Sequence, residues 1–436
     1  MKNILKTIKP VSKINAQIRL PGSKSITHRA LIMAALSEGP SEIAHPLQAE
    51  DTFLTAKALE ALGAIIEWST DSVRVAPPAF RWRQPDVPIF LGNSGTSARL
   101  LLAVFSAGTG TFVMDGTPRL RQRPVGPAAE ALESLGTAVH WMGKTGFLPV
   151  EITSRGLNGG DVFVDASESS QFLSGILIAA PLARRKVGVE WSEPAASWPY
   201  VDITLGMMRQ AGIGFEREAS NRIAIPAPQV YAPRNFTVEG DCSSASYFWG
   251  AAALTGGEVL TSPVSPDSLQ GDCRFLDVLD KMGCRIERKD EGVSVKGPDR
   301  LMPVDIDMNE MPDMVPTLAV LSAFASGTCR IRNVAHLRIK ESDRLNAVAT
   351  GLKALGVEAE ELPDGLTIHG GAPLEPPSGP ISAFDDHRIA MAFALAGLRV
   401  NGVVIEGAES VNKSFPEFWD IFESLGKDRL ASLRDE

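Results

Sequence analysis

Apolar and polar positions recur along this 436-residue chain in one phrase that appears six times. A stretch with helical spacing ends in a small or apolar residue plus Gly, and a strand-like alternation follows. The copies are LEALGAIIEW, LESLGTAVHW, MMRQAGIGFER, LDKMGCRIERK, LKALGVEAEEL and, truncated, FESLGKD. Their glycines, Gly63, Gly136, Gly212, Gly283, Gly356 and Gly426, are separated by 73, 76, 71, 73 and 70 residues. Each predicts a left-handed helix C-cap, a conformation that a residue with a Cβ adopts only at a cost. The period exceeds that of common solenoids, so each unit predicts a small β/α subdomain.

Every unit carries a second helix of different character. These begin near Ser23, Ser94, Ser169, Ser243, Asp313 and Asp386, and their bodies include ALIMAAL, ARLLLAVFSAG, QFLSGILIAAPLA and IAMAFALAGL. Such segments are apolar nearly all round, as a helix inside a domain must be. The helices that end in the glycine phrase mix charged and apolar residues and should lie outside. An α/β architecture results, with buried helices wrapped by sheets and outer helices.

Length alone argues for two or three domains. Hydrophobic residues make up 44% and charged residues 22%, the profile of a folded protein. A net charge of −9 disfavours binding to nucleic acid or an anionic membrane, so any attraction for an anion must be local. The N-terminus lacks the continuous apolar core of a secretory signal, and the longest apolar runs fall short of a membrane span. Cys242, Cys273, Cys284 and Cys329 form no CxxC pair and read as thiols in a reducing compartment. A cytoplasmic protein is expected.

The six buried helices open with GSKS, GNSGTS, SESS, GDCSS, NEMPD and DDHR. Capping of orphan amides explains one such start on its own. Six starts of the same polarity, several with Lys, Arg or Gln nearby, also suit a set of anion-binding helix termini.

PGSKSITHRAL, LGNSGTSARLL, DGTPRLRQRPVG, DASESSQFLSGIL, VEGDCSSASYF, RIKESDRL, DDHRIAMAFAL and NKSFPEFW follow one another from about Leu20 to Pro416. In these motifs, their order and their spacing the chain resembles the 5-enolpyruvylshikimate-3-phosphate synthase family. The resemblance implies two similar globular domains, each of three βαβαββ units, with the active site in the interdomain cleft. It implies a discontinuous domain of residues 1–20 plus 240–436, a second domain of residues 21–239, and hinges near 20 and 240. The implied reaction moves the enolpyruvyl group of phosphoenolpyruvate to the 5-hydroxyl of shikimate 3-phosphate and releases phosphate, by addition and elimination through a tetrahedral intermediate. No metal or organic cofactor is implied, and a monomer is expected.

The same resemblance assigns residues. Lys24, Asn93, Gly95, Arg123, Gln171, Arg344, Arg388 and Lys413 match phosphoenolpyruvate ligands, and the planar arginine fork suits carboxylate or phosphate. Lys24, Ser25, Arg29, Ser169, Ser170, Gln171, Ser197, Tyr200, Asp313, His336 and Lys340 match the shikimate 3-phosphate side. Asp313 is the candidate base on the 5-hydroxyl and Glu341 the candidate acid at the methylene carbon, with Lys24 and His387 as further proton-transfer groups. Capping would account for Asp313 alone, and an i,i+3 pair with Glu341 for Arg344. His45, His140 and His369 carry no motif.

Three positions depart from the common family pattern. His28 and His336 stand where Asn is frequent, and Leu100 stands where one subgroup has Pro. Gly95 is the residue of enzymes that admit glyphosate, which makes sensitivity to that inhibitor an expectation. UDP-N-acetylglucosamine enolpyruvyl transferase is the alternative, but that family has Asn directly after the first lysine and a loop Cys. Here Ser25 follows Lys24 and no Cys precedes Cys242. A P-loop needs Gly before its Lys, where this chain has Ser23. A non-catalytic repeat scaffold leaves the lysines and arginines of the motifs without a role.

Overall fold

The computed structural model describes residues 3–78, 82, 84–265 and 267–426. Two compact units emerge. One comprises Gly22–Val238, and the other joins the N-terminal segment through Pro21 to the chain from Glu239 onward.

In the Gly22–Val238 unit one pattern is used three times: strand, buried helix, parallel strand, outer helix, hairpin. Ile89–Phe90 leads into the helix Gly95–Ala107, the strand Thr109–Asp115, the helix Gly126–Ser134 and the hairpin of Ala138–Trp141 with Val150–Arg155. Ile89 lies parallel beside Met114, Phe112 antiparallel to Ile152, and Ile152 opposite Val139. Gly160–Val164, Ser170–Ala179, Val187–Trp191, Pro199–Gln210, Glu216–Ala219 and Arg222–Ile225 repeat this order. The third copy takes its first strand from the far end of the unit, where Phe236–Thr237 runs parallel to Ser41–Ala44.

The other unit closes in the complementary way. Asn15–Arg19 lies parallel to Glu258–Ser262, and Leu20 N donates to Ser262 O at 2.7 Å. Leu5–Thr7 runs antiparallel to Val404–Glu406 and completes a three-stranded sheet with Ile381–Ser382. The N-terminal residues thus supply one strand to each of two sheets in this unit. The remaining sheet, Asp305–Asp307, Thr328–Arg332, Gly365–His369 and Glu358–Leu362, has its strands in the usual order.

Local sequence accounts for these elements. In Ser72–Ala76 the valines Val73 and Val75 are buried and Arg74 between them is exposed, the period-two signature of a half-buried strand. In Gly95–Ala107 every residue from Ser97 to Ser106 is buried, as an all-apolar helix requires. Gly175 lets the third helix approach the second, since a Cβ there would sit 2.8 Å from the carbonyl of Arg99. Gly63, Gly136, Gly212, Gly283 and Gly356 have φ of 101°, 99°, 83°, 97° and 74°, the left-handed caps expected of the repeated phrase. Gly426 lies outside that region, and Lys427 and Asp428 of the sixth phrase fall outside the described residues.

The fourth buried helix, expected near Ser243, starts at Cys242 with Asp241 as its cap, whose carboxylate accepts from Ser244 N. Asp313 sits in a 3-10 turn, Pro312–Met314, just ahead of the helix Val315–Ala323. One expectation is corrected. Cys242 and Cys273 are not free thiols. The fold brings their Cα atoms to 5.4 Å and joins them in a disulfide, while Cys284 and Cys329 remain free and buried. Among the described residues no helix is long and apolar enough to cross a membrane.

Candidate active site

A parallel strand that feeds a helix places the helix N-terminus at the carboxyl edge of its sheet, where open α/β folds hold ligands. In Gly22–Val238 the three buried helices open at Lys24, Gly95 and Ser170, and their first turns are cross-linked. Arg99 Nη1 donates to Ser169 Oγ at 3.3 Å and to Gln171 Oε1 at 3.0 Å, and Gln171 Nε2 donates to Thr96 Oγ1 at 2.9 Å. A chain of buried groups, His28 Nδ1 to Thr55 Oγ1 to Ser97 Oγ, ties the first helix to the second with both contacts at 2.8 Å.

Arg29 is 1% exposed, and each of its nitrogens meets a neutral acceptor. Nε donates to Thr204 Oγ1 at 2.7 Å, Nη1 to Ser25 O at 2.9 Å, and Nη2 to Ser174 Oγ at 3.2 Å and Tyr200 O at 3.0 Å. Burial brings its guanidinium down to about 10, which leaves it protonated at neutral pH. Lys24 Nζ lies 3.3 Å from Asp51 Oδ2. Arg123 Nη1 donates to Asn93 O at 3.1 Å, and its guanidinium packs so closely on Gly95 that any Cβ there would overlap it. Ser170 is buried, and Ser197 is held at φ 56° with its buried hydroxyl lacking a partner among the described residues. The buried charged side chains described in this unit are Lys24, Arg29, Arg99 and Arg123 against the single carboxylate Asp51. Four cations to one anion make a local trap for anions inside a chain of net negative charge.

The second unit carries the remaining candidates on the turns Pro312–Met314, Ala335–Ile339 and Ala408–Lys413, the helices Arg344–Ala354 and His387–Gly397, and the loop of Lys340 and Glu341. Arg344, 1% exposed, is held by three carboxylates. Its Nε donates to Asp386 Oδ2 at 2.8 Å, Nη2 to Glu341 Oε2 at 2.8 Å, and Nη1 to Asp313 Oδ1 at 2.7 Å. Arg388 Nη2 donates to the other oxygen of Asp313 at 2.6 Å, and Lys413 Nζ lies 3.6 Å from Glu341 Oε1. Burial opposes ionisation of Asp313, yet Arg388, Arg344 and Lys340 outweigh it and hold the carboxyl well below the usual range. Asp386 caps the helix His387–Gly397 through Arg388 N and also accepts from Ser342 Oγ at 3.0 Å. His387 Nδ1 lies 3.7 Å from Asp386 Oδ1. Burial, with help from Lys340, pushes His336 down to about 3, and its buried Nε2 has no partner among the described residues.

The candidates whose side-chain contacts are given above form two polar sets, one per unit: Lys24, Arg29, Arg123, Ser169 and Gln171 in the first, Asp313, Glu341, Arg344, Arg388 and Lys413 in the second. Sequence reasoning missed Asp51, Thr96, Arg99, Thr204 and Asp386 as members. Thr96, Arg99 and Asp386 lie inside quoted motifs, and their neighbours drew the attention. Asp51 carries no motif, since its contact with Lys24 spans 27 residues and arises only from the packing of two helices. Among the described residues no cluster of His, Cys, Asp and Glu side chains is placed to hold a metal ion.

Comparison with known proteins identifies the family. The profile of the EPSP synthase family (3-phosphoshikimate 1-carboxyvinyltransferase) matches residues 8–422. The 3-phosphoshikimate 1-carboxyvinyltransferase of Syntrophobacter fumaroxidans is 61% identical over 96% of this chain and 99% of that protein. Its counterpart in Methanoculleus marisnigri is 42% identical over 95% and 97%. The EPSP synthase structure from Acinetobacter baumannii superposes with a TM-score of 0.80 at 30% identity, covering 98% of both chains. The enolpyruvyl transferase NikO of Streptomyces tendae shares the fold, with a TM-score of 0.78 at 18% identity over 97% of both chains. With matches of this extent, the chain belongs to the EPSP synthase (3-phosphoshikimate 1-carboxyvinyltransferase) family.

Proposed function

We propose that the two polar sets serve one reaction, the transfer of the enolpyruvyl group of phosphoenolpyruvate to the 5-hydroxyl of shikimate 3-phosphate with release of phosphate. The observation that carries the reading is the charge imbalance of the Gly22–Val238 unit, where four buried cations face one carboxylate. Both substrates carry a phosphate and a carboxylate, and such a set attracts them without help from the net charge.

The chemistry divides between the sets. Lys24 and Arg123 receive the anionic groups of phosphoenolpyruvate, and Asn93, Gly95 and Gln171 bring backbone and amide dipoles near them. Ser25, Arg29, Ser169, Ser170, Ser197, Tyr200, His336 and Lys340 serve shikimate 3-phosphate. Arg344, Arg388 and Lys413 serve phosphoenolpyruvate. Asp313, kept ionised by its arginines, orients the 5-hydroxyl and accepts its proton as the C–O bond forms. Glu341 delivers a proton to the methylene carbon, which becomes a methyl group in the tetrahedral ketal. Loss of a proton from that methyl, taken by Glu341 or Lys24, expels phosphate and restores the double bond. His387 orients this exchange beside Asp386. We propose further that residues 1–20 with 240–436, and residues 21–239, act as the two domains with hinges near 20 and 240. The enzyme works as a monomer in the cytoplasm.

Phosphate release tests the reading when phosphoenolpyruvate is supplied with one acceptor at a time. Turnover with shikimate 3-phosphate and none with UDP-N-acetylglucosamine is expected. Turnover with the UDP-sugar alone would sink it.

A further inference from the structure

The second unit contains a covalent link that the proposed reaction does not use. Cys242 is the first residue of the helix Cys242–Thr255, and Cys273 belongs to the short turn Gly271–Arg274. Their disulfide spans 31 residues and lies among hydrogen bonds that join the same two segments. Cys242 N donates to Gln270 Oε1 at 3.1 Å, Gln270 Nε2 donates to Gly240 O at 2.8 Å, and Ser243 Oγ donates to the Asp272 carboxylate. Asp272, next to Cys273, is buried, and its charge acts on Asp313 and Arg388, two members of the polar set. Burial, with Asp313 adding to it, raises its carboxyl to about 7. The crosslink therefore fixes the turn that holds a buried carboxyl beside the Asp313–Arg388 ion pair.

The two sulfurs are not equivalent. Cys242 is fully buried, whereas Cys273 is partly exposed, so an incoming thiolate reaches the sulfur of Cys273. Cys242 is then the leaving group, at the N-terminus of a 14-residue helix where partial positive charge favours a thiolate. Asp241 beside it spends its carboxylate on Ser244 N at 2.7 Å. Disulfides of cytoplasmic proteins are mostly catalytic or redox-sensing rather than structural.

We infer that Cys242–Cys273 is a thiol–disulfide exchange site through which dithiol reductants of the surroundings set the activity of the enzyme. One thiolate of the dithiol attacks Cys273 Sγ, the Cys242–Cys273 bond breaks, and Cys242 leaves as a thiolate. The second thiolate of the dithiol then attacks the reductant sulfur of the mixed disulfide and releases Cys273. Two electrons pass to the protein, two cysteines take up protons, and the dithiol becomes a disulfide. Without the link the 271–274 turn relaxes, and the Asp313–Arg388 pair loses a fixed neighbour.

The activity part of this inference rests on the proposed function; the chemical part does not. The test treats the intact enzyme with dithiothreitol, labels it with iodoacetamide under native conditions, and maps the labels by mass spectrometry. Untreated protein should yield a linked Cys242–Cys273 peptide pair. Reduction should add label at the partly exposed Cys273 and not at buried Cys284 and Cys329, and oxidised dithiothreitol should restore the link. The kcat/KM for phosphoenolpyruvate should fall about 3- to 10-fold on reduction, as preorganisation of the site is lost, and recover on reoxidation. The double variant C242A/C273A should show one activity, indifferent to dithiothreitol. Absence of the linked peptide even after oxidation would overturn the inference, and so would equal kcat/KM in the oxidised and reduced wild-type enzyme. Lack of turnover in both forms would count against the proposed function instead, with the labelling still deciding the exchange site.

Discussion

Asp386 grips the edge of Arg344: Nε sits 2.8 Å from Oδ2 and Nη2 3.3 Å from Oδ1. Both side chains are buried, so neither charge is compensated by water. Asp386→Asn leaves the capping oxygen but removes the charge. Loss of one partner from a buried pair costs about 3–5 kcal/mol, and Glu341 and Asp313 retain part of the hold on Arg344, so a loss of ~2–3 kcal/mol is expected. Urea unfolding measures it, and the KM for phosphoenolpyruvate should rise as Arg344 loses its aim.

Gly95 and Arg123 occupy the same space to within a methyl group. Gly95→Ala must displace the guanidinium, which also donates to Asn93 O. The expected result is a KM for phosphoenolpyruvate about tenfold higher, or about 1.4 kcal/mol, with kcat less affected. Inhibition by glyphosate should weaken in the same variant. An unchanged KM would mean that Arg123 does not hold this substrate.

Arg29 is a buried cation held by neutral acceptors, a poor arrangement for stability and a good one for an incoming anion. In Arg29→Met the two hydroxyls it contacted still pair with each other, Thr204 to Ser174 at 3.0 Å. Stability should therefore change by no more than ~1 kcal/mol, because desolvation relief offsets the lost hydrogen bonds. By contrast, kcat/KM for shikimate 3-phosphate should fall at least ~100-fold. Thermal unfolding and steady-state kinetics on one preparation separate the two effects.

His336 stays neutral in the folded protein down to about pH 3, against an ordinary value near 6.5. Below pH 6.5 the unfolded chain binds a proton at this position that the native state refuses. Stability from this group is thus complete above pH 6.5 and falls as pH drops toward 3, with a slope of up to ~1.4 kcal/mol per pH unit. His336→Asn should flatten the pH dependence of urea unfolding in that window. A slope equal to wild type would show that His336 is protonated in the native state.

The repeat was legible because five of the outer helices end in the same left-handed turn, at Gly63, Gly136, Gly212, Gly283 and Gly356, and only Gly takes that conformation without strain. The helix starts were legible for a similarly local reason, since caps such as Ser94, Ser169 and Asp386 bond to amides within three residues. Long-range pairings were not. The strand Asn15–Arg19 finds its partner at Glu258–Ser262, and neither stretch carries a mark of the other. Cys242 and Cys273 gave no spacing signal, because their approach depends on how the 271–274 turn packs on a helix start. Lys24 was visible through its motif, whereas Asp51, which holds its ammonium group, was not.

The proposed reaction is an addition followed by an elimination, with a proton gained and then lost at the methylene carbon of the enolpyruvyl group. Turnover in D2O with phosphoenolpyruvate and shikimate 3-phosphate, followed by NMR of the product, tests this most directly. The transient methyl group carries one solvent deuteron and two original hydrogens, so the product vinyl group should carry deuterium, and Glu341→Gln should slow product formation and labelling together. A product formed over many turnovers with no deuterium in its methylene would contradict the account.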